Sequence, residues 1–366
     1  MDAVGGAERG QAFLATAIAT RRDRRVAAIM AAVAFVAFVV AVPFARVPLV
    51  RMPAFIPAYE AALILIDLVT AMLVYEQFAR LRSPALLVLA TGYLFDALII
   101  VPHALTFPGA FSSSGLLGAG PQSTAWLYAF WHGGFPVFVI AYALLRHRED
   151  RPIANVRRAI VVSAGVAAAL AAAFAALATG GHDFLPTIMQ GSNYTLMVTK
   201  GVSPAVWLLT FLAMLMLWQR PQRVIDLWLM LVMWVWLFDI ALAAVIGSSR
   251  FDLGFYAGRI FGLIAASVLL VSLLIEMAAL YVGVLGQAAD AERRFAELVR
   301  ARAEPGRWPE AKPGREAPGG FIVRQNIANY RARLAEAGLD DTQRRAVEVL
   351  LAEEELKLRQ LERGGG

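Results

Sequence analysis

VAAIMAAVAFVAFVVAVPFA, residues 26–45, is an unbroken run without a charged or strongly hydrogen-bonding side chain. About 20 such residues are what a helix needs to cross the hydrocarbon of a bilayer. A helix of a soluble protein would interleave polar residues with a period of 3.6 to keep one face wet, and this stretch has none. The run AIVVSAGVAAALAAAFAALATG, residues 159–180, likewise carries no charge. Outward from these two, the sequence reads as spans at 26–45, 55–79, 84–106, 122–145, 159–180, 202–219, 225–247 and 254–285. The predicted fold class is therefore all-α: a polytopic integral membrane protein with about eight transmembrane helices, followed by a cytoplasmic helical hairpin. The predicted organisation is an N-terminal tail (1–24), a membrane domain (25–285), a connecting helix (286–303), a linker (304–320) and the hairpin (321–366). A hydrophobic content of 59% and a mean hydropathy of +0.61 fit a chain solvated by lipid.

The arginines read as a topology code. Arg21, Arg22, Arg24 and Arg25 precede the first span, Arg80 and Arg82 follow the second, and Arg146, Arg148, Arg151, Arg157 and Arg158 follow the fourth. Arg220 and Arg223 follow the sixth, and Arg293 and Arg294 the eighth. The alternate loops carry only Arg46, Arg51, Lys200 and Arg250. Basic loops stay on the inside, so both termini are predicted to be cytoplasmic. The pI near 9.8 is then a consequence of topology, and no nucleic-acid partner is expected. The first apolar stretch is too long for a signal peptide, and no cleavage site follows it. The absence of cysteine excludes disulfides and cysteine-ligated metal or iron–sulfur centres.

Ionisable residues at membrane depth are costly, so each is a site hypothesis. Glu60 and Asp67 lie seven residues apart in the second span, and Asp96 and His103 seven apart in the third; each pair shares a helix face. Trp131 and His132 follow in the fourth span, Asp239 in the seventh, and Arg259 and Glu276 in the eighth. Two readings stand together. These residues form buried pairs that fix helix packing, such as Glu60 or Asp67 with Arg259. Alternatively Glu60, Asp67, Asp96, His103, Trp131, His132, Asp239 and Arg259 form a ligand or sensing site. The carboxylates outnumber the cations, so either some are protonated or a cation or proton path completes the cluster. Taken alone, His103 and His132 read as hydrogen-bonded core residues. Bis-histidine haem ligation from adjacent helices is compatible with them, but no spacing demands it, and no cofactor or metal is expected. Gly254, Gly258, Gly262 and Ala266 form a small-residue stripe that lets another backbone approach closely, either for static packing or for a moving eighth helix.

Beyond the last span, Val284, Ala288, Ala291, Phe295 and Leu298 keep a 4-3-4-3 spacing. This short seam suits either a parallel pair in a homodimer or one amphipathic helix lying on its own protein. Ala291, Phe295 and Leu298 are the signalling-helix candidates. Pro305–Gly320 reads as a linker. Two amphipathic helices follow: one from about Ile322 to Ala337 stopped by Gly338, the other capped by Asp340 with Gln343. The tail has no histidine, no ATP-binding glycine loop and no cyclase or phosphodiesterase signature, so no enzyme activity is expected.

Several segments resemble a known family. They include Pro53-Ala54-Phe55-Ile56-Pro57, Gly92-Tyr93-Leu94-Phe95, Pro102-His103-Ala104-Leu105-Thr106-Phe107-Pro108-Gly109 and Gln122-Ser123-Thr124-Ala125-Trp126-Leu127-Tyr128. Trp131-His132-Gly133-Gly134-Phe135-Pro136 and Leu253-Gly254-Phe255-Tyr256-Ala257-Gly258-Arg259 continue the pattern. Over about residues 25–285 the chain is similar to the fourth class of bacterial membrane-associated sensor domains, the MASE series, which precede histidine kinases and diguanylate cyclases. The resemblance implies an integral-membrane sensory role but hands over no ligand and no binding residues. It departs from the family where the hairpin stands in place of the kinase or cyclase. The expected function is a membrane sensor or adaptor that detects a small or membrane-associated stimulus and signals through the hairpin to a cytoplasmic, two-component-associated partner. A secondary or proton-coupled transporter is the alternative.

Overall fold

The computed structural model describes residues 15–146, 152–219, 223–303, 318–335 and 341–363. Among the described residues the long helices are α1 (Arg21–Ala41), α2 (Phe55–Leu81), α3 (Pro84–Thr106), α4 (Ser123–Leu145), α5 (Val156–Thr179), α6 (Val202–Trp218), α7 (Val224–Ile240), α8 (Leu253–Ala303), α9 (Pro318–Ala335) and α10 (Asp341–Arg363), with a single short turn of helix, Thr195–Thr199, before α6. Among the described residues there are isolated β-bridges but no strand. The chain divides into two compact units, Met1–Gln287 and Ala288–Gly366.

Among the described residues, seven helices are long and apolar enough to cross a membrane. The sequence reading expects about eight; the remaining one, α6, has 17 residues and falls just short. At a rise of 1.5 Å per residue it is about 26 Å long, close to the ~30 Å of bilayer hydrocarbon. It packs between α4 and α7 as a member of the same bundle. α7 does not stop at Ile240 but continues as a π-helical segment, Ala241–Ile246.

Local chemistry sets the helix starts. In α1 a capping box forms: Asp23 N–H donates to the Thr20 hydroxyl, while the Asp23 carboxylate accepts from Thr20 N–H at 2.8 Å. Asp252 precedes α8 and accepts backbone N–H groups from Ser248, Ser249 and Phe255 at 2.7–3.1 Å. It thereby satisfies donors that a helix start would otherwise leave bare. Pro102 and Pro136 lie inside α3 and α4. Each removes a backbone donor close to a histidine, and such interruptions survive in membranes where neighbouring helices surround them.

The core runs through α2, α3, α4, α7 and α8, with Tyr93, Phe95, Phe135, Leu89 and Ile99 fully buried. The loops at the end where α3 finishes and α4 and α8 begin are stitched together. Leu49 N–H donates to the Phe251 carbonyl, Gly254 to Ala45, and Tyr194 to Ser248. Gln122 clamps the 187–189 segment, accepting from Ile188 and Met189 N–H and donating to the Met189 carbonyl. At the opposite end, Arg146 of α4 reaches Asp226 of α7 at 3.0 Å, and Tyr142 donates to the same carboxylate at 2.7 Å.

In the second unit, α9 packs on α10, burying Val323 and Ile327, and Arg331 pairs with Glu355 at 2.7 Å. The linker reading needs one correction: Pro318–Gly320 are helical and form the first turn of α9, where the fixed φ of proline suits the opening position. Residues 304–317, Gly338 and Asp340, and the side chains of Phe295, Leu298 and Gln343, lie outside the described residues. Ala291 is exposed on α8.

Candidate functional site

Two histidine–carboxylate pairs lie buried between the helices of the bundle. His103 of α3 holds Nδ1 2.7 Å from Glu60 Oε1 of α2. His132 of α4 holds Nε2 3.1 Å from Asp239 Oδ2 of α7, with its Nδ1 3.1 Å from the Tyr128 carbonyl. All four side chains are buried. A carbonyl can only accept, so His132 Nδ1 carries a proton toward Tyr128. The contact on the other nitrogen then requires one further proton, held either by Nε2 or by the Asp239 carboxyl. His132 with Asp239 is thus a buried, proton-holding unit. Glu60 Oε2 and Asp239 Oδ1 have no hydrogen-bond partner among the described residues.

Aromatic rings join the two pairs. Trp131 lies 5.7 Å from the His103 ring and 4.3 Å from the His132 ring, measured between centroids. Tyr128 stacks on His132 at 3.8 Å, and Trp236 closes the other side at 5.4 Å. Arg259 enters from α8, donating to the Phe255 carbonyl at 3.0 Å with its guanidinium 3.6 Å from the Phe255 ring centroid. The expected ion pair of Arg259 with Glu60 or Asp67 is not made. Glu60 instead takes the nearer histidine, one helix away.

Asp67 and Asp96 form a second polar spot between α2 and α3, close enough for their charges to interact. Both are buried, and neither oxygen of Asp96 has a hydrogen-bond partner among the described residues. The Trp131 indole N–H lies close to Asp96 without reaching hydrogen-bond geometry, and the Tyr93 hydroxyl is likewise unpartnered. Trp131 therefore touches both polar spots. Glu276, far along α8, accepts from Gln77 of α2 at 2.5 Å. Among the described residues no group of three or more histidine, aspartate or glutamate side chains comes together as a metal site.

The small-residue stripe of α8 faces this centre. A Cβ added at Gly258 would lie 2.9 Å from the Asp239 carbonyl oxygen, and one at Gly262 would lie 2.7 Å from the Tyr59 hydroxyl and 3.0 Å from Asp239 Oδ2. Gly254 abuts the Leu242 carbonyl in the π-helical segment, and Ala266 is buried one turn beyond Gly262. Only glycine lets the α8 backbone come so near the carboxylate that holds His132.

A family model described as a membrane-associated sensor, integral membrane domain (MASE4) matches residues 50–281. The chain belongs to the MASE4 family. No curated protein and no solved structure matches it. The MASE4 match runs from the loop before α2 into α8, leaving out α1 and the hairpin. Every polar residue described above, from Glu60 to Glu276, falls inside it. The multi-pass membrane class and the sensor-domain assignment follow from this match together with the long apolar helices.

Sequence reasoning alone does not find Tyr59, Tyr128, Tyr194 and Arg250. Tyr59 and Tyr128, in apolar spans, read as packing, Tyr194 as a loop residue, and Arg250 as one of the few charges of the alternate loops. Their shared signal is spatial: each comes within electrostatic range of Arg259.

Proposed function

We propose that this chain is a sensor or adaptor of the bacterial inner membrane, with both termini in the cytoplasm. In this reading a small or membrane-associated stimulus acts on the histidine–carboxylate centre, and the α9–α10 hairpin passes the response to a cytoplasmic signalling protein. The observation that carries the proposal is the double role of Asp239. One carboxylate both shares a proton-dependent contact with His132 and packs against Gly258 and Gly262 of α8. A change in the charge or ligation of that pair alters the surface on which α8 rests. Such coupling needs a stimulus that favours one of two helix positions over the other. A second copy of the chain, paired along Ala291, Phe295 and Leu298, is a natural partner for the connecting segment. No haem is invoked: His132 already has both ring nitrogens engaged.

The test is site-specific photo-crosslinking from the hairpin in the native host. Wild type should crosslink a cytoplasmic signalling protein, and Asp239→Asn, in a chain that still inserts and folds, should change the yield severalfold. An unchanged yield would remove Asp239 from the signalling path. Deleting residues 304–366 should abolish the response while the membrane domain stays folded. Solute uptake into proteoliposomes that survives this deletion would favour the transporter instead.

A further inference from the structure

A small cavity opens at the end of the bundle where α3 finishes and α4 and α8 begin. It has a volume of about 40 Å³ and is lined by His103, Thr124, Tyr128, Tyr194, Arg250 and Arg259, with apolar residues between them. No acidic residue lines it. Arg259 is buried and has no carboxylate within ion-pair distance among the described residues. Arg250 is half-buried; its guanidinium lies 4.9 Å from the Phe107 ring centroid and makes no ion pair among the described residues. The two arginines are near enough to repel each other; burial, and then the charge of Arg259, push Arg250 down to about 10. The hydroxyls of Tyr128 and Tyr194 are buried with no hydrogen-bond partner among the described residues. Asp252, the nearest acid to Tyr194, is already spent on three backbone N–H groups.

Two cations and two hydroxyl donors without protein partners surround one cavity that no acidic side chain lines. Buried charges are ordinarily paired, and guanidinium groups match planar or tetrahedral oxyanions through parallel N–H bonds. About 40 Å³ exceeds what one water requires and suits a single carboxylate or phosphate group, not a larger metabolite. We infer that this cavity is a binding site for a small oxyanion, with Arg250 and Arg259 supplying charge and Tyr128 and Tyr194 supplying hydroxyl donors. The inference extends the sensor reading by naming the chemistry of a ligand. It concerns binding alone, so it stands or falls apart from signalling.

The experiment is isothermal titration of sodium acetate, and separately of inorganic phosphate, into the full chain in phosphatidylcholine nanodiscs at constant ionic strength. One saturable site per chain is expected for at least one of the two anions. Arg250→Gln should weaken it about tenfold or more, as loss of a charge-assisted hydrogen bond does. Tyr194→Phe, which removes only the idle hydroxyl, should weaken it about threefold. Relief of the repulsion with Arg259 should leave ligand-free Arg250→Gln at least as heat-stable as wild type. If acetate binding disappears when anionic phosphatidylglycerol replaces zwitterionic phosphatidylcholine, the site is there and an anionic lipid headgroup fills it. Absence of saturable binding for both anions in neutral lipid, or binding that neither substitution changes, would overturn the inference.

Discussion

Helices α1 and α7 are both among the most apolar segments of the chain, yet in the most apolar 18 residues of the spans Arg21–Phe44 and Val224–Ile246 the buried share is 6% and 78%. α1 touches α7 along one edge, through Phe38 stacked on Phe238 at 4.6 Å and a hydrogen bond from the Trp234 indole to the Ala31 carbonyl. Most of its remaining surface is exposed, including Val33, Val36 and Val40. α7 is enclosed on nearly every side and carries Asp239. Lipid tails are as apolar as a core of leucine and valine, so hydropathy separates membrane from water but not lipid from protein. What distinguishes the enclosed helix is Asp239 in the midst of its apolar run, which only a surrounded position tolerates. The family match draws the same line, beginning at residue 50 and leaving α1 outside.

This contrast can be broken or sharpened by substitution, with stability read from unfolding in mixed micelles. The largest effect is expected for Phe135→Ala, because Phe135 is fully buried against Tyr93 and Trp236; the cavity should cost about 3 kcal/mol. Val36→Ala on the exposed face of α1 should stay within about 0.5 kcal/mol. Equal costs at the two positions would mean that α1 is covered by protein. Next, His103→Ala strands Glu60 without its partner and should cost about 2–3 kcal/mol; His103→Gln, which can still donate to Glu60, should recover much of it. If His103→Gln is as damaging as alanine, the hydrogen bond is not what Glu60 needs. Gly262→Val should cost about 1–3 kcal/mol by forcing α8 away from Tyr59 and Asp239. A smaller change, about 1 kcal/mol, is expected for Phe38→Ala, which removes one stacked pair at the single edge joining α1 to α7.

Much of the site was legible residue by residue. Glu60, His103, Trp131, His132, Asp239 and Arg259 stand out because each breaks an apolar run, and the structure gathers them around one centre. Their pairing was not legible. Arg259 is the obvious counterion for Glu60 in a sequence, since it is the one cation inside the spans. The structure gives Glu60 to His103 and leaves Arg259 against Phe255 and the cavity. The π-helical turn after α7 also leaves no mark, because Ala241–Ile246 reads as ordinary apolar helix.

The sequence by itself determined that this chain lives in a bilayer, roughly where its helices begin and end, and which residues are too polar to sit there idly. These are local properties: run length, charge placement and caps depend on neighbours a few residues away. Only the tertiary structure decided that His132 meets Asp239, 107 positions along the chain, and that two arginines share a cavity with no acid. Contacts of that range depend on which helix faces rotate inward, and in a medium as apolar as the helices themselves that rotation is chosen by packing and polar partners, not by hydrophobicity.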